Sequence, residues 1–363
     1  MAQTERLTIF GHSDPLSGVA RHGSAFADAI ASHVEVAWVP LDRPLPPSSP
    51  SWIRRFERGR QETSPSTALG IGAPDVMSRL RGHRRIGWFV WETSRVPDSH
   101  LQHLRGLDEI WTPTDWGRRV LSESGLQNVP VEVVPEGVDP DVFRPIPRCG
   151  VENQPFRFLA VGKWERRKGF DLLLRAWARA FAANAPVELV LHTYHTKDPR
   201  WRLEHALHSL ELGPHAPIRW SRPLPLVSLV LLYNQCDAFV SATRGEAWGL
   251  PIFEAMSCAK PVIVPRSGAL GELLHESFVD FVEVDEVPAS YGGGEASFGG
   301  IGRWGEPNID HLVTLLREAV QDPKRGLELG ERGRSQVLDR WTWARSAEIA
   351  FERICETPEV RGV

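Results

Sequence analysis

The sequence is poor in cysteine, which limits the kinds of site it can build. Its four cysteines, Cys149, Cys236, Cys258 and Cys355, form no Cys-x-x-Cys pair and show no spacing typical of a zinc site. We therefore expect reduced thiols, no structural disulfides and no cysteine-based metal centre.

Two further features are missing, an excess of basic residues and a long hydrophobic run. The 42 Lys and Arg residues against 46 Asp and Glu residues give a formal net charge of −4, which argues against a nucleic-acid partner. The most apolar stretch, residues 224–233, is about half as long as a membrane span, and the N-terminus lacks a signal-peptide pattern. These features predict a cytoplasmic protein that is at most peripheral on the cytoplasmic face of a membrane.

The chain does contain a regular alternation of strand-like and helical patterns, which predicts parallel α/β sheets covered by helices. At 363 residues it is longer than the ~250–300 residues that one hydrophobic core usually organises. We predict an N-terminal domain over residues 1–152 and a C-terminal domain over 153–340. The predicted strands are 7–10, 34–38, 86–91, 109–111, 131–134, 156–161, 187–191, 238–241, 261–264 and 279–282.

Residues 40–74 interrupt this alternation. They are rich in Pro, Ser, Arg and Gly, and this composition predicts a long surface loop.

Residues 244–256, Arg-Gly-Glu-Ala-Trp-Gly-Leu-Pro-Ile-Phe-Glu-Ala-Met, are the most informative stretch. They follow a predicted strand and open a helix, and open α/β sheets bind ligands at this edge. The backbone amides of Trp248, Gly249 and Leu250 suit a phosphate at the helix N-terminus. Glu246 and Glu254 would repel a bare phosphate, so their natural partners are hydroxyl groups.

Two lysines complete this predicted site. Lys163 and Lys168 follow the strand at 156–161, so they are placed at the same carboxyl edge. A nucleotide sugar carries hydroxyl groups at both ends of a diphosphate, so its chemistry fits these glutamates, lysines and amides.

These motifs resemble a known family, the retaining, nucleotide-sugar-dependent glycosyltransferases of the GT-B fold, family four, or glycosyl transferases group 1. The resemblance rests on the two glutamates within Gly-Glu-x-x-Gly-Leu-Pro-x-x-Glu-Ala-Met and on the turn that ends at Lys168-Gly169. Residues 135–145 look like the segment that closes the family's N-terminal domain, and the motifs at 91–92, 108–114 and 302–307 resemble a subgroup. The likeness is weakest over 40–85.

The resemblance implies the architecture and the reaction. Two Rossmann-like domains would face each other across a cleft, and a last helix from about residue 341 would return to the N-terminal domain. The protein would be a hexosyltransferase-type enzyme that uses a UDP-, GDP- or ADP-sugar without a metal or other cofactor. Its acceptor would be a hydroxyl of a glycan, a lipid or a small molecule.

The resemblance also implies roles for the C-terminal site residues. Lys168 matches the lysine on the diphosphate, and Lys163 stands where the family more often has arginine. Glu254 matches the carboxylate on the ribose, and Glu246 the one near the hydroxyls of the transferred sugar. The amides of residues 248–250 match the clamp on sugar and phosphate.

Two candidates come from the N-terminal half of the chain. Gly18 lies in the loop after the first strand, where the family usually has paired glycines. Glu92 lies at the strand end where many members have a histidine on the N-domain side of the cleft, and it is a candidate catalytic residue. Which residue of this domain contacts the acceptor hydroxyl stays open.

Three alternatives stay open at this point. Asp139-Pro140-Asp141 spells the Asp-x-Asp of metal-dependent sugar transferases, although it lies in a turn with proline at its centre. A GT-B-shaped binding or scaffold subunit without activity is the second, and a nucleotide-sugar epimerase or phosphorylase on the same fold is the third. The presence of Glu246, Glu254 and Lys168 together argues against the scaffold.

Overall fold

The computed structural model describes residues 6–14, 17–41, 67–147, 154–194, 203–221, 224–290 and 301–356. The chain forms two compact units. Unit 1 comprises Met1–Trp91, Val96–Asp139 and Trp341–Val363, and unit 2 comprises Glu92–Arg95 and Pro140–Arg340. The predicted boundary between the two domains, at residues 152 and 153, lies within residues 148–153, which are outside the described residues.

Unit 1 is an α/β unit around one parallel sheet of six strands in the order β2-β1-β3-β4-β5-β6. Its elements are β1 (Arg6–Gly11), α1 (Gly18–Ile30), β2 (Glu35–Pro40), β3 (Thr67–Ile71), α2 (Pro74–Met77), β4 (Arg84–Trp88), α3 (Asp98–Leu104), β5 (Glu109–Thr112), α4 (Asp115–Glu123), β6 (Val131–Val133) and α12 (Trp343–Cys355).

Strand β3 corrects the prediction for residues 40–74. The predicted surface loop contains a fully buried strand, Thr67–Ile71, which pairs with both β1 and β4 inside the sheet. Its Gly70 lets the side chains of Met77 and Leu80 approach, since a Cβ there would lie 2.9 Å from the Met77 sulfur. Residues 42–66 lie outside the described residues.

The final segment of the chain completes unit 1. The Val138 amide donates to the Trp341 carbonyl at 3.0 Å, and the Trp343 amide donates to the Val138 carbonyl at 3.3 Å. Gly137 permits this pairing, because a Cβ there would overlap the backbone of Thr342 and Trp343. Helix α12 then packs against α1.

Unit 2 is built on a second parallel sheet of six strands, in the order β12-β11-β10-β7-β8-β9, with an antiparallel hairpin of β13 and β14. Its elements are β7 (Phe156–Lys163), α5 (Phe170–Ala180), β8 (Val187–Tyr194), α6 (Leu203–Ser209), β9 (Ile218–Ser221), α7 (Leu226–Gln235), β10 (Ala238–Val240), α8 (Leu250–Ser257), β11 (Val262–Pro265), α9 (Gly268–Leu273), β12 (Asp280–Val282), β13 (Val284–Pro288), β14 (Arg303–Pro307), α10 (Ile309–Gln321) and α11 (Pro323–Arg340).

The core of unit 2 follows from the apolar faces of these elements. Helix α5 buries Leu173, Ala176 and Trp177 at helical spacing and packs against α10. The predicted α/β class with two parallel sheets is confirmed. The strand β9 and the β13–β14 hairpin were not predicted, because these strands have only four or five residues each and β9 and β13 have no buried residue. Within the part of the chain that the structure describes, no helix has both the length and the apolar character to cross a membrane.

Candidate active site

The site lies in unit 2, where two loops follow neighbouring strands. Strand β7 ends at Lys163, strand β10 ends at Val240, and the two strands pair in parallel. The loop after β7 forms a 3₁₀ turn, Arg166–Lys168, and then enters α5. Carboxyl ends of adjacent parallel strands meet at one sheet edge, so the two loops come together as the sequence predicts.

Gly169 allows the two loops to interlock. Its φ of 67° lies in the left-handed region, and a Cβ would overlap the carbonyl oxygen of Ala242. The Arg244 amide donates to the Arg167 carbonyl at 2.7 Å, and the Thr243 hydroxyl donates to the same carbonyl at 3.2 Å. The position of the Lys-Gly turn is therefore fixed by the loop that carries Glu246.

The centre of the site is a buried carboxylate with two cations. Lys168 Nζ lies 2.6 Å from Glu246 Oε1, and Arg167 Nη1 lies 3.1 Å from Glu246 Oε2. Burial alone raises the pKa of Glu246, but Lys168 and Arg167 more than offset it and hold the pKa below its ordinary value. Glu246 is therefore anionic across the neutral pH range.

Arg167 connects this carboxylate to two more. Its Nη2 lies 2.8 Å from Glu165 Oε1 and 3.4 Å from Glu92 Oε1, while Nη1 also donates to the Gly245 carbonyl at 2.7 Å. Burial raises the pKa of Glu92, and the Arg167 charge opposes that shift. Arg167 was not among the residues predicted from the sequence.

Glu92 belongs to this group although it follows β4 of unit 1. The segment Glu92–Arg95 is part of unit 2. A Cβ on Gly245 would overlap the Glu92 carbonyl. The Ser94 amide donates to the Arg303 carbonyl at 3.0 Å, and the Arg303 amide donates to the Ser94 hydroxyl at 2.8 Å. The structure thus brings Glu92 together with Glu246 and Lys168.

Lys163 lies at the end of β7, half-buried. Burial lowers the pKa of its ammonium group, and the nearby charges of Arg167 and Lys168 act in the same direction, while Glu165 and Glu92 oppose it. Among the described residues no carboxylate forms an ion pair with it. Lys163 therefore offers a cation that is not already paired with a described carboxylate.

Helix α8 begins beside these charges. Gly249 precedes it with a φ of 97°, and no side chain of the described residues caps its first turn. Trp248 is buried and stacks on Phe253 with ring centroids 4.5 Å apart, which fixes the backbone that leads into Leu250. This uncapped N-terminus carries the partial positive charge that favours an anion.

Glu254 lies one turn into α8 and is only 2% exposed. Its Oε2 accepts a hydrogen bond of 2.7 Å from the Tyr233 hydroxyl, which also lies 3.3 Å from the Pro251 carbonyl. Tyr233 orients this carboxylate, and nothing in the sequence spacing links α7 to α8. It is the second residue that sequence reasoning missed.

Arg244 is the third residue that sequence reasoning missed, and its side chain pairs with carboxylates of unit 2. It is 1% exposed and makes a bidentate pair with Asp171 at 2.9 and 2.8 Å, and it also pairs with Glu306 on β14. These contacts tie the hairpin to both loops of the site. Gly18, the last predicted residue, is the exposed first residue of α1 in unit 1, where an added Cβ would meet open space among the described residues.

Asp139 and Asp141, the aspartates of the metal-dependent alternative, are both exposed. Among the described residues, no group of three or more His, Cys, Asp and Glu side chains is placed to hold a metal ion.

With this geometry in place, the chain can be compared with known proteins. Residues 155–288, most of unit 2, match the family of glycosyl transferases group 1. This part of the chain is therefore similar to the group 1 glycosyltransferases.

Two curated proteins are similar to most of this chain. A GDP-mannose-dependent alpha-(1-6)-phosphatidylinositol monomannoside mannosyltransferase from Mycolicibacterium smegmatis is 24% identical over 315 residues, 79% of this chain and 72% of the relative. A D-inositol 3-phosphate glycosyltransferase from Kineococcus radiotolerans is 25% identical over 364 residues, 93% of this chain and 73% of the relative.

Solved structures show the GT-B fold. Sucrose-phosphate synthase from Thermosynechococcus elongatus superposes with a TM-score of 0.71 at 14% identity, covering 96% of this chain and 98% of that one. Anabaena Alr3699/HepE in complex with UDP-glucose also has a TM-score of 0.71, at 12% identity, covering 97% of this chain and all of that one. The GT-B fold implied by the sequence motifs is thereby confirmed.

Proposed function

We propose that this protein moves a hexosyl group from a nucleoside diphosphate sugar to an acceptor hydroxyl, with retention of configuration at the anomeric carbon and without a metal ion. The observation that carries the proposal is the contact of Lys168 with Glu246, at 2.6 Å, beside the N-terminus of α8. The site therefore combines a cation that can bind phosphate, a carboxylate that can bind hydroxyl groups and a helix N-terminus that favours an anion.

The diphosphate is the first part of the donor to consider. Lys168, Lys163 and the amides that open α8 supply positive charge at this edge of the sheet. As the glycosidic bond breaks, negative charge develops on the leaving diphosphate, and preorganised cations and dipoles stabilise it. In metal-dependent transferases a divalent cation has this role.

Hydroxyl groups at the two ends of the donor are the next part. We assign the ribose to Glu254, whose orientation by the Tyr233 hydroxyl gives it a defined geometry within α8. We assign the transferred sugar to Glu246, which precedes the helix on the loop. A carboxylate accepts hydrogen bonds from vicinal hydroxyls at both of its oxygens.

Retention is proposed from the charge state of Glu246. A carboxylate whose pKa lies below its ordinary value and which contacts two cations is a poor base and a weak nucleophile. A covalent glycosyl intermediate on Glu246 is therefore disfavoured. We propose instead that the leaving phosphate oxygen accepts the proton of the acceptor hydroxyl on the same face of the sugar.

The donor and acceptor to test first come from the comparisons. One relative is named for GDP-mannose, and the Anabaena protein was solved with UDP-glucose. The relatives are also named for phosphatidylinositol monomannoside and inositol 3-phosphate. We propose a UDP- or GDP-hexose donor and a polyol, glycan or lipid-linked hydroxyl acceptor, used in the cytoplasm.

The test is a transfer assay with UDP-glucose, GDP-mannose and an ADP-sugar against inositol phosphate and glycan acceptors in excess EDTA. We expect one donor to give a glycoside whose anomeric proton and carbon couplings match those of the donor sugar. Product of inverted configuration, or activity in Mn²⁺ or Mg²⁺ that disappears with EDTA, would contradict the proposal. The same assay on Lys324→Met, at an exposed lysine of α11, controls for loss of a surface charge.

A further inference from the structure

Glu246 has two cationic partners, one for each oxygen, and the two are held very differently. Lys168 approaches Oε1 on a flexible stem that passes over Gly162, where a Cβ would lie 3.4 Å from the Lys168 Cδ. Among the described residues, the carboxylate that pairs with the ammonium group of Lys168 is that of Glu246. Lys168 can therefore exchange this partner for another anion.

Arg167 is anchored from several directions. Its guanidinium contacts the Gly245 carbonyl, Glu165 and Glu92 as well as Glu246, at distances from 2.7 to 3.4 Å. Its own carbonyl accepts hydrogen bonds from the loop of Thr243 and Arg244. A side chain held in this way stays in place when a ligand enters the site.

The difference matters if Lys168 is also the residue that binds the diphosphate, a step that rests on the function proposed above. When a donor binds, Lys168 turns from Glu246 to the phosphates, and the buried Glu246 loses one of its two cations. A buried carboxylate without a cation takes up a proton. A protonated Glu246 would have one acceptor site fewer for the hydroxyls of the sugar.

We propose that Arg167 is a positioning residue for the transfer reaction: it holds Glu246 in place and ionised after Lys168 has left it for the donor. Glu165 and Glu92 hold the far side of the guanidinium, at Nη2, so that Nη1 stays directed at Glu246 and the Gly245 carbonyl. Lys163, at the end of β7, is another charged group near this cluster.

The test compares the pH dependence of kcat for the wild type, Arg167→Lys and Arg167→Met at saturating donor. In Arg167→Met we expect kcat at pH 7 to fall by about tenfold or more and its acid limb to move to higher pH, with a much smaller change in donor KM. Arg167→Lys keeps the charge but loses the planar guanidinium group. It should therefore show a smaller fall in kcat and a smaller shift of the acid limb than Arg167→Met. Arg175→Met, at an exposed arginine on α5, should behave as the wild type.

An acid limb of Arg167→Met that superimposes on that of the wild type would overturn the inference, as would equal defects in Arg167→Met and Arg167→Lys. If Arg167→Met fails to fold, Glu165→Gln decides. The glutamine oxygen can still accept the hydrogen bond from Arg167 Nη2, so Arg167 stays in place while one negative charge near Glu246 is removed. The acid limb should therefore move to lower pH, and an unmoved limb contradicts the inference. An active wild type with unmoved limbs rejects only the role of Arg167, whereas a wild type without transfer rejects the proposed function and this inference together.

Discussion

The ammonium group of Lys168 lies 2.6 Å from the carboxylate of Glu246, and the two residues come from loops that are 78 positions apart in the chain. Each loop follows a strand of the same parallel sheet, and the strands β7 and β10 are neighbours. The contact therefore depends on how closely the two loops approach. Gly169 and the Ala242 carbonyl determine that approach.

Gly169→Ala should disrupt this arrangement. The left-handed φ of 67° costs an alanine about 1 kcal/mol or more, and the added Cβ overlaps the Ala242 carbonyl. We expect a clear fall in the melting temperature and a loss of donor binding. Thermal unfolding should show no comparable change for Gly213→Ala, whose Cβ would meet open space. Equal melting temperatures for the two variants would mean that the loops can separate at little cost.

The two glutamates should differ in their kinetic effects. If Glu254 binds the ribose, Glu254→Ala removes binding shared by ground and transition states, so it should mainly raise the donor KM. If Glu246 contacts the sugar as the bond breaks, Glu246→Ala should lower kcat by roughly 2–4 kcal/mol in activation free energy. Steady-state kinetics with varied donor separates the two effects. Equal defects confined to KM in both variants would show that the two ends of the donor are assigned wrongly.

Tyr233→Phe offers a milder version of the Glu254 experiment. It removes the hydroxyl that donates to Glu254 at 2.7 Å and keeps the ring that packs near Phe143 and Phe239. Donor KM should rise by about threefold to tenfold, in line with about 1 kcal/mol for one hydrogen bond, while kcat stays close to that of the wild type. A kcat defect without a KM defect would place Tyr233 elsewhere in the mechanism.

The carboxylates Glu246 and Glu92 should have opposite effects on stability. The pKa of Glu246 lies below 4.5, so its contribution is complete above the unfolded pKa and is lost as the pH falls through the lower folded value. The pKa of Glu92 lies above 4.5, so its favourable contribution is present below the unfolded pKa and is lost as the pH rises through the higher folded value.

At pH 7, therefore, Glu246→Gln should lower the melting temperature, and Glu92→Gln should raise it. The difference for Glu92→Gln should shrink as the pH falls below the ordinary glutamate pKa of about 4.3, because Glu92 is then protonated in folded and unfolded chains alike. The difference for Glu246→Gln should persist to lower pH, since its folded pKa lies below the ordinary value. Thermal scans of the two variants between about pH 3.5 and 7.5 measure this. Changes of the same sign at pH 7 would contradict the charge arrangement described around Arg167.

Much of the fold could be predicted from the sequence, because apolar runs and helical spacing alternate so regularly that the parallel α/β class follows. Strand β3 could not. Its sequence, Thr-Ala-Leu-Gly-Ile, adjoins a stretch rich in Pro and Ser, and its place in the sheet depends on pairing with β1 and β4 rather than on local propensity.

The candidate site was predictable where spacing along one loop or helix determines it, as for Glu246 and Glu254. It was not predictable where tertiary contacts decide which side chain points inward. Arg166, Arg167 and Lys168 form a basic run that is indistinguishable from a solvated surface by composition. The 3₁₀ turn exposes Arg166 and buries Arg167, and Tyr233 reaches Glu254 from another helix.

The most direct test of the account is calorimetric titration of the full chain with UDP and GDP in EDTA, for the wild type, Lys168→Met and Lys324→Met. We predict that one nucleotide binds the wild type and Lys324→Met equally and binds Lys168→Met about 10- to 100-fold more weakly, since a charge-assisted hydrogen bond contributes about 1.5–3 kcal/mol. A wild type that binds neither nucleotide, or a Lys168→Met variant that binds as tightly as the wild type, would contradict it.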